Sequence, residues 1–255
     1  MFFDCLHQFQ SQLRNQCLQY KKALDRLITK EEVACSEYCV CKTTDVNRLD
    51  EFSDAPSFSS IFNLVKYLEE FCYLSQGLSV IDFGCDTGHD TFQLAPLIVP
   101  GQITGIDVTP ETVDYAKETA LKLQIENVFF HQSDNFCSIS PKSQDLLIMN
   151  NVFNIIENKN EIISEASQIL KSNGLLIIAD VFIIDDLPES LRKDLQFQCG
   201  GIAGAKSTSD LINLMNKFGF KVIREEIIRS YNIKYIEQNY QLKSGILIFS
   251  VNLLL

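Results

Sequence analysis

From Leu78 onward, short apolar runs rich in β-branched residues alternate with stretches whose apolar positions recur every three or four residues. The first pattern fits a buried strand and the second an amphipathic helix. The strand-like runs are Leu78–Phe83, Gln102–Val108, Asn127–His131, Asp145–Asn150, Leu175–Phe182, Lys221–Ile228 and Gly245–Val251. Strands separated by helices are the grammar of βαβ units, so the expected fold is α/β, a Rossmann-like, mostly parallel sheet with helices on both faces. Thr109 can cap a helix that starts at Pro110 and turns Val113, Ala116, Ala120 and Leu121 inward. A second helix is expected from about Glu157 to Leu170 on Ile162, Ala166, Ile169 and Leu170, with Gly174 supplying the left-handed residue past its end.

Upstream the pattern differs. Leu6, Phe9, Leu13, Cys17, Tyr20, Leu24 and Leu27 fall on one face of an amphipathic helix over residues 1–33, to be docked on the main domain or on a partner. Residues 34–60 are polar, contain Cys35, Cys39 and Cys41 and a Ser/Asp/Pro stretch, and read as a loop-rich connection. Ile61–Leu74 is again apolar at helical spacing. The expected organisation is a helical extension with a cysteine-containing loop over 1–74, followed by one α/β domain over 75–255.

The sharpest chemical signal is Val80-Ile81-Asp82-Phe83-Gly84-Cys85-Asp86-Thr87-Gly88, a buried strand ending in an acid and turning through glycines into a helix. Glycine lets the backbone turn sharply and approach a ligand, and the helix start offers free N–H groups. A dinucleotide fingerprint needs glycine at 84, 86 and 89 beside a pyrophosphate. Here Asp86 and His89 stand instead, and an added carboxylate repels a diphosphate but suits a cationic sulfonium ligand. The next strand closes on Ile106-Asp107-Val108, and Asp107 follows Gly84 at roughly the 20-residue spacing at which an acid meets ribose hydroxyls.

Composition narrows the partners. The formal charge is −11 and no Lys/Arg run appears, which disfavours a nucleic-acid substrate and favours a small molecule. No apolar run approaches the roughly 20 residues of a membrane span, and Met1-Phe2-Phe3-Asp4 does not begin a secretory leader. Nine scattered cysteines, an odd number, suggest reduced thiols and a cytoplasmic setting. Cys35, Cys39 and Cys41 have no fourth Cys or His nearby to complete a zinc site, so no metal is assigned; incidental thiols and a clamp for a soft metalloid both remain open. His89 and His131 are expected to be structural, and Asp180, closing a buried strand, is either a bonded strand terminus or an active-site acid.

Over Leu78–Val251 the sequence resembles class I S-adenosylmethionine-dependent methyltransferases. Asp82 to Gly88 matches their D-x-G-x-G-x-G turn, with Asp86 in place of the middle glycine. The resemblance implies S-adenosylmethionine as cofactor and a seven-stranded sheet whose last strand is antiparallel. It implies cofactor contacts from Asp82, Gly84, Cys85, Gly88, Asp107 and Val108, adenine contacts from Ser133 and Asp134, and Asn150 with Asn151 facing the methionine end and the acceptor.

A narrower resemblance, to arsenite methyltransferases, rests on Asn150 to Ile155, Asp180-Val181-Phe182, Leu187 to Asp194 and Cys199 to Ala205. It implies that Cys199 meets the acceptor, since trivalent arsenic is soft and thiolates are its soft ligands. Asn151 stands where that family carries a cysteine. Three readings follow: methyl transfer to a small-molecule acceptor with Cys199 and Asn151 on the acceptor side, arsenite methylation proper, and an inactive cofactor-binding protein. The oligomeric state is open.

Overall fold

The computed structural model describes residues 64–71, 73–194, 197, 201–235 and 238–251. The long helix expected over 1–33 and the Cys35, Cys39 and Cys41 loop lie outside them. Helix α1 (Leu64–Glu70) is followed by β1 (Ser79–Phe83), α2 (His89–Leu94), β2 (Gln102–Asp107), α3 (Pro110–Leu123), β3 (Val128–Gln132) and β4 (Gln144–Asn150). Then come α4 (Lys159–Ile169), β5 (Leu170–Ile183), α5 (Glu189–Arg192), α6 (Thr208–Lys217), β6 (Phe220–Tyr235) and β7 (Gln238–Val251).

All seven strands form one sheet in the order β3-β2-β1-β4-β5-β7-β6. β1 to β5 are mutually parallel, whereas β7 runs antiparallel to both β5 and β6. The strands are buried on both faces because successive side chains point to opposite sides. Leu146 and Ile148 of β4 join α1, α2 and α3 in one core, and Leu147 and Met149 join α4 and α6 in the other. A third cluster, Val181, Ile183, Leu187, Leu191, Phe197, Ile202, Ile233, Tyr240 and Leu242 among it, lies beyond the main sheet. It fills the space between the carboxyl end of β5, the far half of the β6–β7 hairpin and the segment after β5.

Four local expectations need correction. Leu121 is 80% exposed, because Thr112, Val113, Ala116 and Thr119 form the inward stripe of α3 and leave it on the outer face. Thr109 stands at the N-cap of α3 but its side chain caps nothing; its own N–H is instead taken by Asp107. α4 passes at Leu170 directly into β5, so Gly174 does not close the helix, and the left-handed residue nearby is Asn173 (φ 63), inside the strand. β6 and β7 are also far longer than their apolar cores, pairing from Phe220↔Val251 out to Tyr235↔Gln238. The outer half escapes a hydrophobic reading because it carries Ser230, Asn232, Lys234, Gln238, Asn239 and Gln241.

Among the described residues no helix is long and apolar enough to cross a membrane. One ring in this core bears directly on the turn after β1. Phe130 of β3 lies under it, where a Cβ on Gly105 would stand 2.7 Å from the ring and 2.8 Å from Cys85 Sγ, and one on Gly88 would stand 2.9 Å from it. Gly105→Ala is therefore expected to cost about 1–3 kcal/mol by overpacking. Phe130→Leu in the same chain should recover part of that loss, as read by the denaturant midpoint.

Candidate functional site

The tips of β1, β2 and β4 meet at the carboxyl edge of the sheet, the side on which open α/β sheets bind ligands. The turn from β1 to α2 is built on left-handed residues: Gly84 (φ 78), Asp86 (φ 49) and Gly88 (φ 87). Asp and Asn are the side-chain-bearing residues that tolerate this region best, so Asp86 makes the turn that a glycine would make. A Cβ on Gly84 would stand 2.5 Å from Val152, so the chain after β4 packs directly on this turn.

Asp107 holds the turn together. Its Oδ2 accepts the Asp86 N–H at 3.0 Å and its Oδ1 accepts the Thr109 N–H at 2.9 Å, joining the glycine turn to the start of α3. Its carbonyl accepts the Ser133 N–H at 2.9 Å, which ties in the chain after β3. A carboxylate has about four lone-pair positions, so each oxygen keeps acceptor capacity for a ligand hydroxyl. Val108, next in sequence, is 55% exposed and presents an apolar side chain beside it. Ser133 closes a local turn through Asn135, and Asp134 is exposed with its carboxylate accepting from Asn135.

Below the turn lies a set of buried acids. Asp82 is 2% exposed and accepts the Thr91 hydroxyl at 2.6 Å. Burial, then the neighbouring Asp90 charge, pushes its carboxyl up to about 7. Asp90 is likewise raised by burial, opposed by Asn150, whose Nδ2 donates to it at 2.7 Å. Asn150 Oδ1 is buried and accepts no hydrogen bond. An unpaired buried acceptor beside a buried carboxylate is a place for a donor that carries positive charge. Asp86 and Asp107, with Asp82 and Asp90 beneath them, make this edge acidic, which suits a zwitterion with cationic centres and repels a diphosphate. Cys85 is buried against Gly105, and burial pushes its thiol up, away from the reactive thiolate.

Asn151 adopts φ 56 at the tip of β4, and its N–H donates to Ala179 of β5 at 2.8 Å. Asparagine tolerates this conformation better than cysteine does. Just beyond, Asp180 is 3% exposed and fully engaged: Oδ1 accepts from Asn154 Nδ2 and the Val181 N–H, both at 2.7 Å, and Oδ2 from the Asn154 N–H at 3.0 Å. It is a bonded strand terminus. His131 is exposed on the edge strand, and His89 is exposed with Nε2 2.6 Å from Gln93 Nε2. Neither reaches the carboxyl edge of β4 in any recorded bond. Cys199 lies outside the described residues.

The turn thus gathers Asp82, Gly84, Cys85, Gly88, Asp107, Val108 and Asn150, with Ser133 tethered at its rim. Asp90 and Thr91 were not singled out from the sequence, although an acid in the first turn after a glycine motif is a readable signal. Asn154 and Lys159 have no such signal, since their roles arise from contacts between β4 and β5. An open depression of about 360 Å³, lined by Pro141, Lys142, Ser167, Gln168, Phe218 and Val251, lies at the opposite, amino edge of β4 and brings no acids or thiols together.

A family model described as a methyltransferase domain matches residues 74–219, more than half of the chain. The arsenite methyltransferase of Halobacterium salinarum is 28% identical over 155 residues, covering 60% of this chain and 40% of that protein. The human arsenite methyltransferase is 32% identical over 155 residues, covering 55% and 40%. The chain thus spans about two fifths of the length of these curated relatives. Among solved structures, the arsenic(III) S-adenosylmethionine methyltransferase of Chlamydomonas reinhardtii superposes with a TM-score of 0.57 at 23% identity, over 76% of this chain and 71% of that one. With its sheet order and glycine turn, the chain belongs to the methyltransferase-domain family and has the class I S-adenosylmethionine-dependent methyltransferase fold.

Proposed function

We propose that the protein transfers a methyl group from S-adenosylmethionine to a small-molecule acceptor with an available lone pair. The observation that carries this reading is the carboxylate-lined turn, in which Asp107 retains acceptor capacity beside an exposed Val108 while Asn150 Oδ1 stays unpaired against Asp90. Asp107 would hold ribose hydroxyls and Val108 the adenine, with Ser133 and Asp134 at its rim. Asn150 and Asp90 would hold the ammonium end, and Gly84 and Gly88 let the backbone come close. When bound, this cofactor supplies a methyl group that passes to the acceptor lone pair as the carbon–sulfur bond breaks and the sulfur keeps the electrons.

The chain's own contribution is alignment, which can supply a large share of such an acceleration. Asn151 and Cys199 are assigned to the acceptor side. Asp180 is turned inward onto Asn154 and the Val181 N–H, and neither described histidine bonds at the tip of β4, so no proton acceptor is assigned on the acceptor side among the described residues. That favours an acceptor needing no deprotonation, such as a soft or neutral nucleophile. A net charge of −11 argues against a polynucleotide. The unpaired thiols of Cys85 and Cys137 suit a reducing compartment such as the cytoplasm.

Arsenic(III) is the second reading, favoured by the relatives named above and by the Cys199 segment. It predicts thiol-dependent arsenite turnover that falls when Cys199 becomes alanine. An inactive binding protein predicts cofactor binding with no product for any acceptor.

Titration calorimetry with S-adenosylmethionine, S-adenosylhomocysteine and NAD tests the main reading; the two sulfur compounds should bind and NAD should not. Asp107→Ala should weaken S-adenosylmethionine about 10- to 100-fold, the loss of one or two hydrogen bonds to a charged acceptor, and Asp107→Asn should fall between. Binding of NAD alone ends the proposal.

A pH prediction follows from Asp82, which titrates near 7 without ligand. Its folded value lies above its unfolded one, so the folded chain retains a proton that the unfolded chain releases. The stability this confers is fully present at low pH and is lost as pH rises from about 4 to about 7; Asp180, raised the same way, adds to the slope. A cationic ligand reverses the preference at Asp82 by favouring its carboxylate. S-adenosylmethionine should therefore bind more tightly at pH 8 than at pH 6, by about fivefold if it draws Asp82 down by one pK unit. Asp82→Asn should flatten that dependence, and an unchanged slope in the variant would remove Asp82 from the account.

A further inference from the structure

A second set of buried contacts links the tip of β4 to the end of β5 and the segment after it. Asn154 sits in the short 3-10 turn Phe153–Ile155, just past the tip of β4. Its Nδ2 donates to Asp180 Oδ1 at 2.7 Å and to the Val181 carbonyl at 2.8 Å, and its N–H donates to Asp180 Oδ2. Its carbonyl accepts Lys159 Nζ at 3.1 Å, and the same ammonium donates to the Ile156 carbonyl at 2.6 Å.

That carbonyl also faces Gly204 across a gap that admits no Cβ. A Cβ on Gly201 would lie 3.6 Å from Asn154 Cβ. The segment carrying these glycines is itself tied down: Arg192 donates to the Ala203 carbonyl at 2.8 Å, and the Ile183 N–H to the Lys206 carbonyl at 3.1 Å. One buried asparagine therefore contacts three pieces of chain at once: its own turn, the end of β5 and the glycine-bearing return.

We propose that the Asp180–Asn154 pair, seated against Gly204, is a positioning device that couples the segment after β4 to the segment after β5 and so fixes the wall on the acceptor side of the site. The proposal rests on the methyl-transfer reading for the meaning of that wall, but the coupling itself stands on the contacts alone. Asp180 and Asn154 act through backbone placement and touch no reacting atom. Burial raises the Asp180 carboxyl and the donated hydrogen bonds oppose it, as befits a group whose partners are all internal.

The test compares Asn154→Ala with Asp145→Ala. Asp145 accepts the Ser79 N–H and pairs with Lys171 at the opposite edge of the sheet, so its loss destabilises without reaching the wall. Asn154→Ala should speed amide hydrogen exchange about tenfold or more both in residues 151–156 and in residues 201–206. Its affinity for S-adenosylhomocysteine should stay within about twofold of the parent, while Asp145→Ala leaves both segments protected. With arsenite and glutathione as the acceptor probe, the KM for arsenite should rise about tenfold with the KM for S-adenosylmethionine unchanged.

Exchange that rises only in 151–156, that rises equally in Asp145→Ala, or that comes with a parallel loss of S-adenosylhomocysteine binding overturns the proposal. If Asn154→Ala does not fold, Gly204→Ala, which disturbs only the seat, is held to the same exchange pattern. A parent protein that turns over no arsenite counts against the arsenic reading alone, and the exchange measurement then decides the coupling.

Discussion

The site depends on one carboxylate accepting two backbone amides. Asp107 sits at the end of β2, yet its oxygens reach the turn after β1 and the start of α3, and its carbonyl reaches the chain after β3. Three connections from three strands are thereby fixed at one point. The hydrogen bonds are charge-assisted and partly shielded, the circumstance in which such bonds contribute most. The Ile106 carbonyl takes the Gly84 and Cys85 amides and the Cys85 carbonyl takes that of Gly88, while Phe130 and Val152 pack on the turn; the Asp86 amide is left to the carboxylate. Without the carboxylate that amide would have to find water or a ligand.

A second constraint is electrostatic. Asp82 and Asp90 lie close enough for each to disfavour the other's ionisation, and both are shielded from solvent. A sheet edge that keeps such a pair is arranged for something other than unliganded stability, because carboxylates shielded from water and without a cationic partner destabilise a fold. Perturbed acids converging on the carboxyl edge of an α/β sheet are a recurrent mark of a working site. Here the same acids also set its polarity, since a diphosphate would meet like charge and a sulfonium or ammonium would meet opposite charge.

The sheet and the cofactor-side turn were legible because each rests on local pattern. Alternating runs and capped helices gave all seven strands, and the acid-glycine turn with Asp107 gave the heart of the site. The outer half of the β6–β7 hairpin was not legible, since Ser230 to Tyr235 and Gln238 to Gln241 look like loop until their pairing is seen. Gly174 does not close α4 because the chain turns extended at Leu170, and the left-handed conformation falls to Asn173 inside β5. Asn154, Lys159 and Gly204 were silent for a different reason: their significance lies in contacts between segments up to 50 positions apart in the chain. Asp86, which breaks the glycine motif on paper, does not break the turn, because its backbone takes up the conformation the motif requires.

The long β6–β7 ribbon has a consequence for how the molecule can change over time. Between Ser230 and Leu242 its strands pair with each other and, at Leu242, with Ile183 of β5, and Ile233, Tyr240 and Leu242 belong to the third cluster. The adenosyl-facing turn shares no core residue with that cluster. Substitutions in the ribbon can therefore repack the third cluster while leaving the turn after β1 as it was. A lineage of such proteins has room for drift in the hairpin, with the glycine turn kept under separate selection.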